Sequence, residues 1–221
     1  MSASVNHLQE RTLDSAELLE QIMPSAITLA MMLRQKKMAA WLRNELDGYE
    51  DETAAPPYRR DLPGHIVARS PQYGWIPAPV NEDQTREHGH LSLVDGTKVL
   101  EKFCVGCKKG DGNRVQLEKE AMATLQKQIN LSAELAINLS RDVYSQLLRT
   151  VRAAIYLWTI ELMGRGLEGE HNHYTADQRS SVADLDDPQR FWRRAMEEVN
   201  ELPIPDVKSA GFFERMFGRA S

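Results

Sequence analysis

The residues best suited to chemistry fall in three places. Cys104-Val-Gly-Cys107 is a two-cysteine knuckle with metal-ligand spacing. Zinc wants four ligands, and His88 and His90 lie upstream to supply two nitrogens. A His-x-His pair on an extended strand points both rings to one side. The competing reading puts Cys104 in a core, Cys107 in a turn and both histidines in a solvated loop, with no cofactor. Arg165 and His171 form a second set, with five residues between them. Such a pair could stabilise charge and shuttle a proton during attack by a ribose hydroxyl. His171 and His173 beside Glu168 and Glu170 offer a metal or acid–base cluster at the same place. The third set is Glu45, Tyr49, Tyr58 and Arg59. It reads either as a helix-to-loop clasp or as a binding surface. In the first reading Arg59 pairs with Glu45 or caps carbonyls at a helix end, and each tyrosine buries its ring while its hydroxyl keeps a partner.

The elements that would carry these groups are mostly helices. Ser15 is placed to cap a first helix with Leu18, Leu19, Ile22 and Met23 inward, ended or kinked by Pro24. Ser25 to Arg34 continues as a second helix, and Lys36-Lys37 marks a turn. Met38 to Leu46 is a third helix, with Gly48 just past its end. Pro56-Pro57 closes a polar loop, and His65 to Val80 reads as short strands interrupted by proline. Asn81 to His90 reads as loop, Thr97 to Phe103 as a short helix, and Lys108 to Asn113 as a turn. Helical spacing runs from Val115 to Ile129, and Ala133 to Leu139 alternates as a strand. Val143, Leu147, Leu148, Val151, Ala154, Ile155, Trp158 and Leu162 mark one long helix from Arg141 to Met163 behind Ser140. His171 to Asp187 reads as loop. Pro188 then opens a helix through Glu198. Gly211 to Gly218 is a short amphipathic element carrying Phe212, Phe213, Met216 and Phe217. It suits an apolar groove on another chain, a fold-back onto its own domain or an anionic membrane surface. The fold class expected is α+β, predominantly helical, with a small sheet or extended patch.

Composition narrows the function. The chain has 221 residues and a net charge of -5. That balance does not support a strongly basic nucleic-acid binder, although a local basic patch stays possible. Two cysteines are too few for a disulfide framework. The polar, acidic start does not read as a signal peptide, and no apolar run spans a bilayer, so integral membrane association is not expected and cytoplasm is the expected compartment. No Walker-type phosphate loop, Gly-x-Ser-x-Gly elbow or His-Glu-x-x-His helix occurs.

Two segments resemble the AbiTii family. One is Trp41-Leu42-Arg43-Asn44-Glu45-Leu46-Asp47-Gly48-Tyr49 with Pro57-Tyr58-Arg59. The other is Val151-Arg152, Trp158, Glu161-Leu162 and Gly166-Leu167-Glu168-Gly169-Glu170. The resemblance covers roughly Leu8 to Glu170. It implies an AbiTii-like domain over residues 1–170; residues 171–221 fall outside the pattern and read as a C-terminal helical extension with an amphipathic tail. It implies abortive-infection defence against phage and supplies no catalytic residue set to place on this sequence. Arg165 and His171 also loosely resemble the Arg-x4-6-His signature of HEPN ribonucleases, with Gly166 and Gly169 against a continued helix. His171-Asn-His173 echoes the letters of a nuclease motif. The function expected is a defence effector or component acting by self-assembly or partner binding, its partner being itself or another defence protein. A nuclease-type toxin acting on RNA or DNA and a non-catalytic adaptor for a neighbouring enzyme are the alternatives.

Overall fold

A computed structural model describes residues 4–106, 112–167 and 173–207. The N-terminal helices are α1 (Val5–Leu13), α2 (Leu19–Met32) and α3 (Lys36–Asp47). They are followed by a 3-10 turn at Pro57–Arg59. Two-residue strands β1 (Leu62–Pro63) and β4 (His90–Leu91) pair antiparallel. A four-stranded antiparallel sheet holds β2 (His65–Ser70), β3 (Gly74–Pro77), β5 (Gly112–Gln116) and β6 (Leu135–Ser140) in the order β3-β2-β6-β5. Between and after these strands come α4 (Glu82–His88), α5 (Thr97–Gly106), α6 (Lys119–Gln128), α7 (Arg141–Gly164), α8 (Ala176–Ser181) and α9 (Pro188–Glu198). The fold is α+β and mostly helical.

The long helix α7 is the axis of the molecule. It buries Leu148, Val151, Ala154, Ile155, Trp158 and Leu162. α1, α5 and α9 pack directly on it. Phe191 and Trp192 of α9 join the same core as Leu8, Leu29 and Leu42. A smaller core lies under the sheet. There Leu125 of α6 meets Ile66, Leu135 and Ile137.

Several local expectations change. α1 precedes Ser15 and is capped by Ser4, whose hydroxyl accepts from His7 N–H at 3.3 Å. Pro24 does not end its helix. It forfeits one backbone bond in the second turn of α2, but Ile22, Met23, Ala26 and Leu29 are buried on either side of it and hold the helix together. The turn expected at Lys36-Lys37 lies earlier, where Arg34 takes φ 60 and Gln35 N–H reaches Ala30 O. Asn81 to His90 contains α4, started by a reciprocal box in which Asn81 and Gln84 exchange hydrogen bonds at 2.9 Å. The stretch from Val115 to Ile129 is not one helix: Val115 pairs with Ile137 in β5, and helix begins only at Lys119. The loop expected from His171 to Asp187 contains α8, opened by the same kind of box at Thr175 and Gln178. Among the described residues no helix is long and apolar enough to cross a membrane.

Candidate functional site

The third set of residues is the one the fold brings together most completely. α3 delivers Glu45 from its last turn, Gly48 and Tyr49 follow, and the 3-10 turn delivers Tyr58 and Arg59. The strap Leu93 to Thr97 closes over both. Its Val94 O accepts from Tyr49 N–H at 2.8 Å, and its Leu93 N–H donates to Arg59 O at 2.9 Å. Thr97 Oγ1 donates to Glu45 O at 2.7 Å. The approach demands glycine. Gly48 sits at φ 107, and a Cβ on Gly96 would stand 2.3 Å from Leu46 O.

Inside the clasp, Glu45 Oε1 accepts from the Tyr49 and Tyr58 hydroxyls, both at 2.5 Å. Arg59 donates to Oε2 through Nη2 at 2.6 Å and Nε at 3.1 Å. Its Nη1 donates to Leu93 O at 3.0 Å and Asp95 O at 2.8 Å. Trp41 Nε1 donates to the Tyr58 hydroxyl at 3.0 Å. The Arg59 guanidinium also lies over the Tyr49 ring, 5.2 Å from its centroid. Glu45 and Arg59 are both 0% exposed. The four side chains therefore form no surface patch: the carboxylate and guanidinium face each other in the interior. Arg59 both pairs with Glu45 and caps carbonyls, although the carbonyls belong to the strap.

The electrostatics follow from burial. Removal from water would lower the Arg59 pKa, but the Glu45 carboxylate and the two tyrosines more than offset it and the net shift is upward. Both tyrosine hydroxyls are pushed up, first by burial and next by the charge of Glu45. A group whose folded pKa is raised contributes stability that is full below its unfolded pKa and is lost as pH rises through the folded value. Unfolded tyrosine ionises near pH ~10. Alkali above that point should therefore destabilise the fold. Ultraviolet titration with circular dichroism checks this. The phenolate signal missing from a Tyr49→Phe, Tyr58→Phe variant should appear only as helicity is lost. Its appearance in the folded protein would contradict a closed clasp.

A second buried network has no motif in the sequence. Glu101 of α5 accepts from Leu19 N–H at 2.6 Å and Glu20 N–H at 2.9 Å, an anion on the positive end of α2. Burial raises its pKa, against those two hydrogen bonds. Arg152 of α7 donates to the carbonyls of Thr12, Glu17, Arg11 and Asp14 at 2.5–3.1 Å. Burial lowers its pKa, while Glu101, Glu17 and Asp14 oppose that shift. Arg152 stands among apolar neighbours on the long helix, and a cation in such a stripe is the signal that could have revealed it.

The other two sets are placed differently. Cys104 is buried in the main core. Its carbonyl accepts from Arg141 Nε at 2.9 Å. His88 ends α4, with Nε2 3.6 Å from Glu87 Oε1. His90 opens β4, with Nδ1 3.2 Å from Arg86 O. Among the described residues no group of three or more His, Cys, Asp or Glu side chains is placed to hold a metal ion. Arg165 grips Asp184 through two bonds, at 2.9 and 2.7 Å, and Ser181 O at 2.6 Å, fastening α7 to the segment after α8. Cys107, His171, Phe212, Phe213 and Phe217 lie outside the described residues.

An open apolar groove lies on the surface beside α7. It measures about 470 Å³ and is lined by Tyr58, Leu62, Pro63, Val143, Leu147 and Met196, with Arg60 and Asp142 as charged members.

No curated protein and no solved structure matches the chain. The AbiTii family profile matches residues 4–186, a span that includes the clasp, all of α7 and α8. With most of its length matched, the chain belongs to the AbiTii family, a name that points to abortive-infection defence against phage.

Proposed function

We propose that this defence component acts by self-assembly, the Phe-rich segment of one copy seating in the apolar groove of another. The observation that carries the reading is the groove itself and its position. Arg141 holds the carbonyl of Val207, where the described chain stops. Asp142, the next residue of α7, is already a member of the groove. Residues 208–221 carry Phe212, Phe213, Met216 and Phe217 for the apolar wall. They also carry Arg215 and Arg219, which suit Asp142. Aromatic rings contribute about 150–250 Å² of buried surface each. Reciprocal seating between two copies closes a two-fold dimer.

The clasp supports binding over catalysis in this reading. Its carboxylate and guanidinium already hold each other, so neither faces a substrate. Light scattering of the full chain tests the proposal. A dimer or larger assembly is expected, and Val143→Asp or the pair Phe212→Ser, Phe213→Ser should each return it to monomer. A monomer at every concentration, or an assembly that ignores both changes, overturns it.

A further inference from the structure

The corner between α2 and α3 holds a cavity that neither the clasp nor the groove uses. It measures about 690 Å³ and is lined by Met31, Arg34, Gln35, Lys36, Ala39 and Arg43. Three cations and no carboxylate line it, in a chain whose net charge is -5. Among the described residues, the side chains of Arg34 and Lys36 make no hydrogen bond or ion pair. Arg43 gives Nη2 to Met31 Sδ at 2.9 Å, a weak acceptor for a guanidinium with five N–H donors. The charged wall is therefore unneutralised by its own fold.

The floor of the cavity is fixed. Gln35 is buried, its Oε1 accepting from Trp158 Nε1 at 2.9 Å and its Nε2 donating to Val182 O at 2.8 Å. Arg34 holds its place through a left-handed backbone, φ 60. The apolar component is Met31, 55% exposed, with Ala39. A second cavity of about 360 Å³ adjoins, sharing Arg34 and Gln35 and adding Arg179 and Ser180. The carboxylate there, Asp186, already accepts from Met38 N–H at 2.8 Å, and Arg179 donates to Tyr174 O at 2.7 Å.

We propose that this cavity binds a nucleoside phosphate, its phosphate oxygens on Arg34, Lys36 and Arg43 and its base against Met31. Three converging cations call for a ligand with several negative oxygens, and guanidinium groups match phosphate with paired N–H bonds. A thioether is a favourable neighbour for an aromatic ring. The volume lies in the range of small-ligand sites.

Calorimetric titration of the full chain with ATP, GTP, CTP and UTP tests it, with adenosine, orthophosphate and a short single-stranded RNA as separate arms. At least one nucleotide should bind, more weakly as salt rises. The Arg34→Gly, Arg43→Gln variant should lose about tenfold or more in affinity. Glycine suits the backbone at residue 34, and both side chains are exposed, so the variant should unfold at the same denaturant concentration as the parent. Arg86→Gln, a remote control on α4, should leave binding unchanged. Adenosine binding as well as the nucleotides, orthophosphate binding equally well, RNA binding alone, no binding at all, or binding indifferent to the double change would each overturn the proposal.

Discussion

Glu45→Ala is expected to destabilise the fold by about 3–5 kcal/mol, the range for removing one partner of a buried ion pair. The magnitude follows from what is left behind. Arg59 is 0% exposed and would keep its charge with two carbonyls and the face of the Tyr49 ring but no anion beside it. The Tyr49 hydroxyl would lose its acceptor, and the Tyr58 hydroxyl would keep only the Trp41 N–H. The strap loses nothing directly, because Thr97 bonds to the backbone of residue 45. Tyr49→Phe removes one hydrogen bond to a charged acceptor and should cost about 1.5–3 kcal/mol. Urea unfolding followed by circular dichroism measures both. A Glu45→Ala loss of less than ~1 kcal/mol would mean that water reaches Arg59 and that the clasp is open.

Arg152→Met is expected to cost about 2–4 kcal/mol, on the order of several lost hydrogen bonds to a charged donor less what the apolar side chain recovers. One guanidinium holds the carbonyls of Arg11, Thr12, Asp14 and Glu17, the end of α1 and the turn after it. Helix C-termini carry carbonyls without internal partners, and here α7 supplies the donors. Methionine keeps the stem's packing and loses all four bonds. Hydrogen exchange should localise the damage, with α1 losing protection and α9 keeping it. Arg69 gives the contrast. It ion-pairs with Glu134 at the surface, the two side chains 65% and 36% exposed, so Arg69→Met should move the unfolding midpoint far less. Equal losses for the two variants would contradict a specific role for Arg152.

The clasp was half legible in the sequence. Residue types alone suggest that Tyr49 and Tyr58 bury rings with partnered hydroxyls and that Arg59 pairs with Glu45 or caps carbonyls at the helix end. The strap was not legible, because Leu93 and Asp95 lie 34 and 36 positions from Arg59 and nothing local marks the contact. Gln35 is a sharper case. Its partners Trp158 and Val182 are 123 and 147 positions away, and a polar residue at a helix junction reads as turn. Long α7 announced itself through its period, since burial of one broad face requires apolar residues at helical spacing. Short α4 and α8 have no such face and bury no residue. Only their capping boxes, Asn81 with Gln84 and Thr175 with Gln178, could have revealed them. β5 is illegible for the opposite reason: its five residues of strand run directly into the period of the helix that follows.

Architecture and function separate along these lines. The residues most suggestive of chemistry in the AbiTii-like segments, Glu45 and Arg59, are used to hold α3 to the strap. Among the described residues, an apolar groove beside α7 and a cationic cavity between α2 and α3 lie open on the surface.

The most direct test of self-assembly through the groove places a photo-crosslinking amino acid at Phe213 in one preparation and mixes it with an isotopically heavy, unsubstituted preparation. Cross-links are expected from light residue 213 to heavy peptides containing Val143, Leu147 or Met196. Cross-links confined to the light chain, or to heavy peptides away from the groove, would contradict it.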